Sequence, residues 1–249
     1  MDAIRLLKTV GVDLLLISGR TDGFIRSYAR EIGTRFPVVS LNGGLILDAD
    51  GQLLYESLLP ADVGHRVLAV AKQAPGMAVS FLTSDGIFST TWPLRLPRYL
   101  AAHPGEHRRI EDPLPYIDRV AMIVIKGPYS PVQDISVGIA RDFRGMVDRV
   151  LYRSKSGGDD YYLELKNWGV NKGKALRFLS KQLDLPAARI GAIGDYANDL
   201  EMCRFAGFSA AMRNAIDDLK ARTDMVTRNT NNESGVAEFL TLVYEAQAT

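Results

Sequence analysis

One cysteine, Cys203, stands alone among 249 residues. Its isolation excludes disulfides within the chain and thiolate-rich zinc sites, and it fits a reducing compartment. Excess charge of either sign is lacking too. With 30 basic residues against 29 acidic ones the formal charge is +1, so no global field marks a nucleic-acid partner. No apolar run reaches the roughly 20 residues of a membrane-spanning helix, and no membrane partner is expected. Residues 1–20 lack the order of a signal peptide, because Asp13 interrupts the apolar stretch and no small-residue cleavage site follows. Repeats, low-complexity tracts and coiled-coil heptads are missing as well. What is present is a globular composition, 47% apolar and 24% charged, in a length that suits one domain or two. The expectation is a cytoplasmic soluble protein, with the oligomeric state open.

The spacing of apolar residues outlines the architecture. Ala3, Ile4, Leu7 and Val10 recur at helical intervals, so Asp2 to Thr9 reads as a helix and Val12 to Ile17 as a buried strand. That amphipathic helix starts at Met1, with nothing before it to cover. A helix at Phe24 to Ile32, a strand at Pro37 to Leu41 and a hairpin from Leu45 to Tyr55 follow, the order of a mostly parallel sheet. From Pro60 the pattern changes. Helices at Ala61–Gln73 and Pro131–Arg141 mix with strand-like runs at Met77–Leu82, Ile87–Thr91, Val120–Ile125, Val147–Tyr152 and Tyr161–Leu165. This reads as a separate α+β module with an antiparallel sheet. Alternation resumes with a helix at Lys172–Leu183 and a strand at Ile190–Ile193. The expected fold class is α/β, a mostly parallel core split by an inserted module, with a ligand cleft between them. The core is expected at residues 1–58 and 166–249, and the insertion at residues 59–165.

The stretch with most chemistry is Ile190 to Met202, I-G-A-I-G-D-Y-A-N-D-L-E-M. Carboxylates at the carboxyl edge of a buried parallel strand sit where open α/β sheets bind ligands. Asp195 and Asp199 are hard oxygen donors suited to Mg²⁺, which takes a few carboxylates and keeps positions for water and phosphate. Read blandly, the same run is a strand, a turn and a capped helix. Ser18, at the end of a strand and before a helix, is equally a phosphate contact or a helix cap. Lys172 opens its helix, a poor place for a cation; that misfit favours an anionic ligand over a solvated lysine.

Taken together, Ser18-Gly19-Arg20, Asn42-Gly43, Gly169-Val170-Asn171-Lys172-Gly173 and Gly194-Asp195-Tyr196-Ala197-Asn198-Asp199 form a pattern. With the tail elements Ala211 to Ala215 and Glu233 to Ala237, it resembles the haloacid-dehalogenase-like phosphatases, in particular the Cof-type group with a large C2 cap. The resemblance implies a Rossmann-like core with an inserted α/β cap, dependence on Mg²⁺, and hydrolysis of small phosphomonoesters such as sugar phosphates. It implies that Ser18 donates its hydroxyl to phosphoryl oxygens, Lys172 neutralises phosphate and nucleophile, and Asp195 holds Mg²⁺. Asp199 would support the metal directly or through water, and Asn198 would orient the phosphate loop. Gly19 belongs to that loop, Asn42 and Gly43 would line the entrance, and Glu164 matches an acidic position where the cap returns to the core.

One motif of that family is not in the sequence: the D-x-D-G-T at the end of the first core strand, whose first Asp attacks phosphorus. The resemblance places that strand mid-sheet, between the strand ending at Ser18 and the one ending at Ile193. With strands about 4.8 Å apart, its loss leaves a gap of about 10 Å, or forces the halves to close and shifts Asp195 against Ser18. Asp48-Ala49-Asp50-Gly51 imitates the motif but reads as an Asp/Gly turn; Asp13 and Asp22 are no better placed. Two expectations follow: a phosphatase whose sequence is truncated here, or a catalytically inactive phosphate or sugar-phosphate binding module. In the inserted module, Arg95, Arg98, His103, His107, Arg108 and Arg109 read as a solvated basic surface, and Trp92, Tyr99 and Tyr116 as packing.

Overall fold

The computed structural model describes residues 2–74, 76–90, 107–154 and 159–248. Trp92, Arg95, Arg98, Tyr99 and His103 lie outside the described residues. The chain runs α1 (Asp2–Thr9), β1 (Leu16–Ile17), α2 (Asp22–Ile32), β2 (Val38–Ser40), β3 (Leu45–Leu47) and β4 (Leu53–Glu56) before it enters the cap. The cap holds α3 (Ala61–Ala71), β5 (Ala78–Thr83), β6 (Gly86–Ser89), β7 (His107–Arg109), β8 (Met122–Pro128), α4 (Tyr129–Asp142), β9 (Val147–Arg153) and β10 (Asp160–Asn167). The return contributes α5 (Lys172–Gln182), β11 (Gly191–Gly194), α6 (Leu200–Phe205), β12 (Phe208–Ala211), α7 (Asp217–Lys220), β13 (Met225–Val226) and α8 (Gly235–Ala248). This is an α/β Rossmann-like core carrying an inserted cap.

The apolar face of α1 finds its cover at the far end of the chain. Leu7 is buried with Phe239 and Leu240 of α8 and Ala210 of β12, and Ala3 and Ile4 pack around them. This partner lies more than two hundred residues downstream, out of reach of local pattern.

Among the described residues the core sheet is in two pieces, β1-β2-β3-β4 and β11-β12-β13. β1 pairs with β2 in parallel, and β11 with β12. No ladder joins β1 to β11, yet Leu15 and Ile17 share one apolar cluster with Ile190 and Ile193. The expected strand Val12–Ile17 contracts to Leu16–Ile17, and Leu14 to Ile17 stay half-buried while Val38 and Val39 are buried. Strands inside a parallel sheet are normally covered on both faces and paired on both edges. β1 has one paired edge, and its length reflects that.

The cap sheet has the order β7-β6-β5-β8-β10-β9, antiparallel except for the β6–β7 pair. Strand alternation sends Val79, Phe81, Ile123, Ile125, Leu163 and Leu165 to one face, where α3 and α4 bury them with Val63, Val67, Val132 and Ile139. Tyr116 stacks on Phe88 with centroids 4.0 Å apart, as packing. At the near end of the cap, Leu82, Ile87 and Met122 pack against Leu41, Leu45 and Leu47 of the core. Asn167 Nδ2 donates to Ser57 Oγ at 3.0 Å, tying the chain's entry into the cap to its exit. The turn reading of Asp48 holds: its Oδ1 accepts from Asp50 N and Gln52 N at the tip of the β3–β4 hairpin.

His107 departs from the expected solvated surface. It is buried, with Nε2 2.6 Å from Ser89 Oγ, which is 2.7 Å from Ser80 Oγ. Burial lowers its pKa from 6.5, because the imidazolium loses hydration there. The unfolded chain then takes up a proton that the folded one resists, so stability falls as pH drops below 6.5 and through the lower folded value. Urea unfolding of the wild type and His107→Gln at pH 7.5 and 5.5 checks this: the wild type should lose more stability on acidification than the variant.

Candidate active site

The loops at the carboxyl ends of β1, β2 and β11 hold the predicted residues in two linked groups. In the first, Ser18 N donates to Val39 O and Ser18 O accepts from Asn42 N, both at 2.9 Å. Ser18 Oγ accepts from Arg20 N at 3.1 Å, which leaves the hydroxyl proton for another acceptor. The helix-cap alternative for Ser18 is not realised, since Thr21 occupies the N-cap of α2. Asn42 sits in the left-handed region at φ 58°, and its Oδ1 accepts from Asn198 Nδ2 at 2.8 Å. That bond spans the two half-sheets and keeps the Asp195 loop beside the Ser18 loop. Gly19 packs on the same amide; a Cβ there would lie 2.9 Å from Asn42 Oδ1. Gly43, at φ 102°, touches the start of α5 so closely that a Cβ would lie 2.7 Å from Asn171 O. Asn171 caps α5 by accepting from Lys174 N at 2.8 Å.

The second group is a buried ion pair. Lys172 Nζ lies 2.5 Å from Asp199 Oδ1, with side chains 10% and 5% exposed. Asp199 Oδ2 accepts from Asp195 N at 3.0 Å and Tyr196 N at 3.1 Å. The misfit of a lysine at a helix N-terminus is thus answered by a carboxylate of this chain, and Lys172 is not solvated. Asp199, expected to support the metal directly or through water, has its carboxylate on Lys172 and on two backbone N–H groups. Gly194 makes room for it, since a Cβ there would lie 2.4 Å from Asp199 Cβ. Cys203 lies under this loop, and burial, with the Asp199 charge adding to it, pushes its thiol up to about 12. It remains an unreactive thiol.

Asp195 keeps a half-buried carboxylate that makes no hydrogen bond or ion pair with the described residues. Among those residues no three His, Cys, Asp or Glu side chains gather as a ligand set. A lone carboxylate beside the Ser18 loop still meets the minimum for Mg²⁺, which often takes one or two carboxylates plus substrate phosphate. Glu164 is not brought to these loops. It sits in β10 with Tyr152 Oη donating to its Oε1 at 2.7 Å.

The haloacid dehalogenase-like hydrolase profile matches residues 1–240. The chain belongs to this family. It is similar to the phosphatase YwpJ of Bacillus subtilis, 24% identical over 261 residues, covering 96% of this chain and 90% of that protein. It is also similar to the phosphoglycolate phosphatase of Archaeoglobus fulgidus, 26% identical over 239 residues, covering 96% and 86%. Among solved structures, a haloacid dehalogenase-like hydrolase from Bacteroides thetaiotaomicron superimposes with a TM-score of 0.83 at 27% identity, covering 97% of this chain and 90% of that one. TM0651 from Thermotoga maritima shares the fold, with a TM-score of 0.80 at 24% identity and coverages of 96% and 89%. No helix of the described residues is long and apolar enough to cross a membrane.

Removing one partner of a buried pair leaves an uncompensated charge, at a cost of about 3–5 kcal/mol. Asp199→Ala should lose stability on that scale in urea unfolding, and the double change Lys172→Met with Asp199→Leu should recover most of it. Asp195→Ala, which breaks no bond of the folded chain, should stay within about 0.5 kcal/mol of the wild type.

Proposed function

We propose that this chain forms the phosphate-holding core and the cap of a Cof-type, Mg²⁺-dependent phosphatase for small phosphomonoesters such as sugar phosphates. The observation that carries the reading is Lys172, an ammonium buried beside the Ser18 and Asn42 loops and fixed by Asp199 through one of its three donors. Phosphoryl transfer needs this kind of fixed positive charge and aimed donors around the equatorial oxygens. Ser18 would donate its free hydroxyl proton to one oxygen and Lys172 its remaining N–H groups to another. Gly19 keeps the loop close, Gly43 sets Asn42 against α5, and Asn198 holds Asn42 in place. Asp195 would hold Mg²⁺, which when bound supplies charge neutralisation at the phosphate. Asp199 acts as a positioning residue for both Lys172 and the Asp195 loop. Glu164 would serve from the cap sheet, through the substrate's organic part.

A second reading, a phosphate or sugar-phosphate binding module without turnover, is favoured by one feature. Apart from Asp195, the aspartates weighed as substitutes for the nucleophile sit in local structure: Asp13 accepts from Leu14 N, Asp22 pairs with Arg26, and Asp48 holds a hairpin turn. Two measurements on the same protein separate the readings. In both, inorganic phosphate at about 100 times its dissociation constant should add about 2.7 kcal/mol of stability, a clear rise in Tm. Ser18→Ala should weaken phosphate binding by about tenfold or more, the scale of a hydrogen bond to a charged group. Turnover of p-nitrophenyl phosphate with Mg²⁺ that Asp195→Ala abolishes supports the enzyme; stabilisation by phosphate without turnover supports the module. If phosphate leaves the melting temperature unmoved, both readings fail.

A further inference from the structure

One edge of the cap sheet is open. β9 (Val147–Arg153) pairs with β10 along its whole length without a shift of register, and among the described residues no strand lies beyond it. Two bonds just outside the strand fix which way its backbone groups point: Trp168 N donates to Met146 O at 3.1 Å, and Ser154 N to Asp160 O at 2.8 Å. Bonded and unbonded pairs alternate along an antiparallel ladder. Asp148, Val150 and Tyr152 therefore direct their N–H and C=O groups to β10, and Val147, Arg149, Leu151 and Arg153 turn theirs outward.

Of the devices that keep an edge strand from pairing, proline and bulge are missing from β9. Its two arginines are drawn back onto their own cap, Arg149 Nη1 donating to Ser136 Oγ at 3.1 Å and Arg153 Nη2 to Asp159 Oδ1 at 3.0 Å. Val147 and Leu151 pack under the cap helices, while Val150, on the other face, is 49% exposed.

The strand is complementary to itself in one register. About a twofold axis through Val150, antiparallel pairing sets Val147 against Arg153 and Arg149 against Leu151 of a second copy. Every outward N–H and C=O of both strands then finds a partner. A shift of two residues either way sets Arg149 opposite Arg149 or Arg153 of the other copy, and like charges directly opposite are destabilising. In the central register Val150 meets its own twin in an unbonded pair, the closer kind, with Cα atoms about 4.5 Å apart. Val147 also pairs with Asn167, whose amide is bonded to Ser57 where the cap meets the core. The core thus hangs from the Val147 end of β9, and antiparallel pairing puts the two cores at opposite ends of the seam.

We propose that β9 is the self-association edge of this chain: two copies pair β9 with β9 about Val150 and join their cap sheets into one continuous sheet.

Sedimentation equilibrium of the whole chain tests it, and a monomer–dimer equilibrium should appear between about 1 and 100 μM. Val150→Lys puts an ammonium opposite Glu164 in its own sheet and opposite a second ammonium across the axis; it should weaken association at least tenfold. Arg149→Pro removes an outward N–H without touching the β10 ladder, and should do the same. Urea unfolding checks that both variants fold. Should either fail to fold, mild oxidation with diamide decides: Val150→Cys should link two copies, whereas Arg149→Cys, whose opposite number is Leu151, should not. The native Cys203 is buried and does not compete. A monomer throughout that range overturns the proposal. So does a dimer that neither folded variant weakens, or one that links through position 149 and not through 150.

Discussion

The ion pair between Lys172 and Asp199 is the constraint on which the site depends. An ammonium and a carboxylate that are each nearly out of water would be costly alone; together, with two backbone N–H groups on the second oxygen, they are satisfied. One carboxylate thereby fixes the first turn of α5, the loop after β11 and the charge at their junction. The Asn42–Asn198 bond then joins this unit to the Ser18 loop across a place where no strand ladder runs among the described residues. The site is held together by side chains where the sheet does not hold it.

That division explains the half-buried state of Leu14 to Ile17. In a sheet paired on both edges these side chains would be covered as fully as Val38 and Val39 are. Instead they share a cluster with Ile190 and Ile193, so apolar packing, which has no direction, brings the half-sheets together without setting a register. Register comes from the loops: asparagine amides and a buried carboxylate impose the geometry that backbone pairing leaves undefined at this boundary.

Much of this was legible in the sequence, for physical reasons. Elements with a clean period, such as α2, α5 and the cap strands β8 and β10, depend on their own residues and were read within a few positions. The glycines of Gly194-Asp195 and Asn42-Gly43 mark close approaches that no side chain tolerates, and so could be read as site markers. What was not legible depended on distant partners. The length of β1 is set by a neighbour, the cover of α1 by α8, and the engagement of Asp199 by a lysine 27 residues away. Burial of His107 hinges on strands β6 and β5, which no local pattern could assign to it.

The bond between Asn167 and Ser57 has a mechanical meaning. A lobe hung from a single thread can swing in every direction, whereas one whose two threads are stitched together at the root behaves like a door on a spindle. The stitch lies where the cap meets the core, close to the Gly43–α5 contact. An opening of the mouth that kept this bond would turn about the seam, and small shifts there would become larger sweeps at the far edge of the cap sheet.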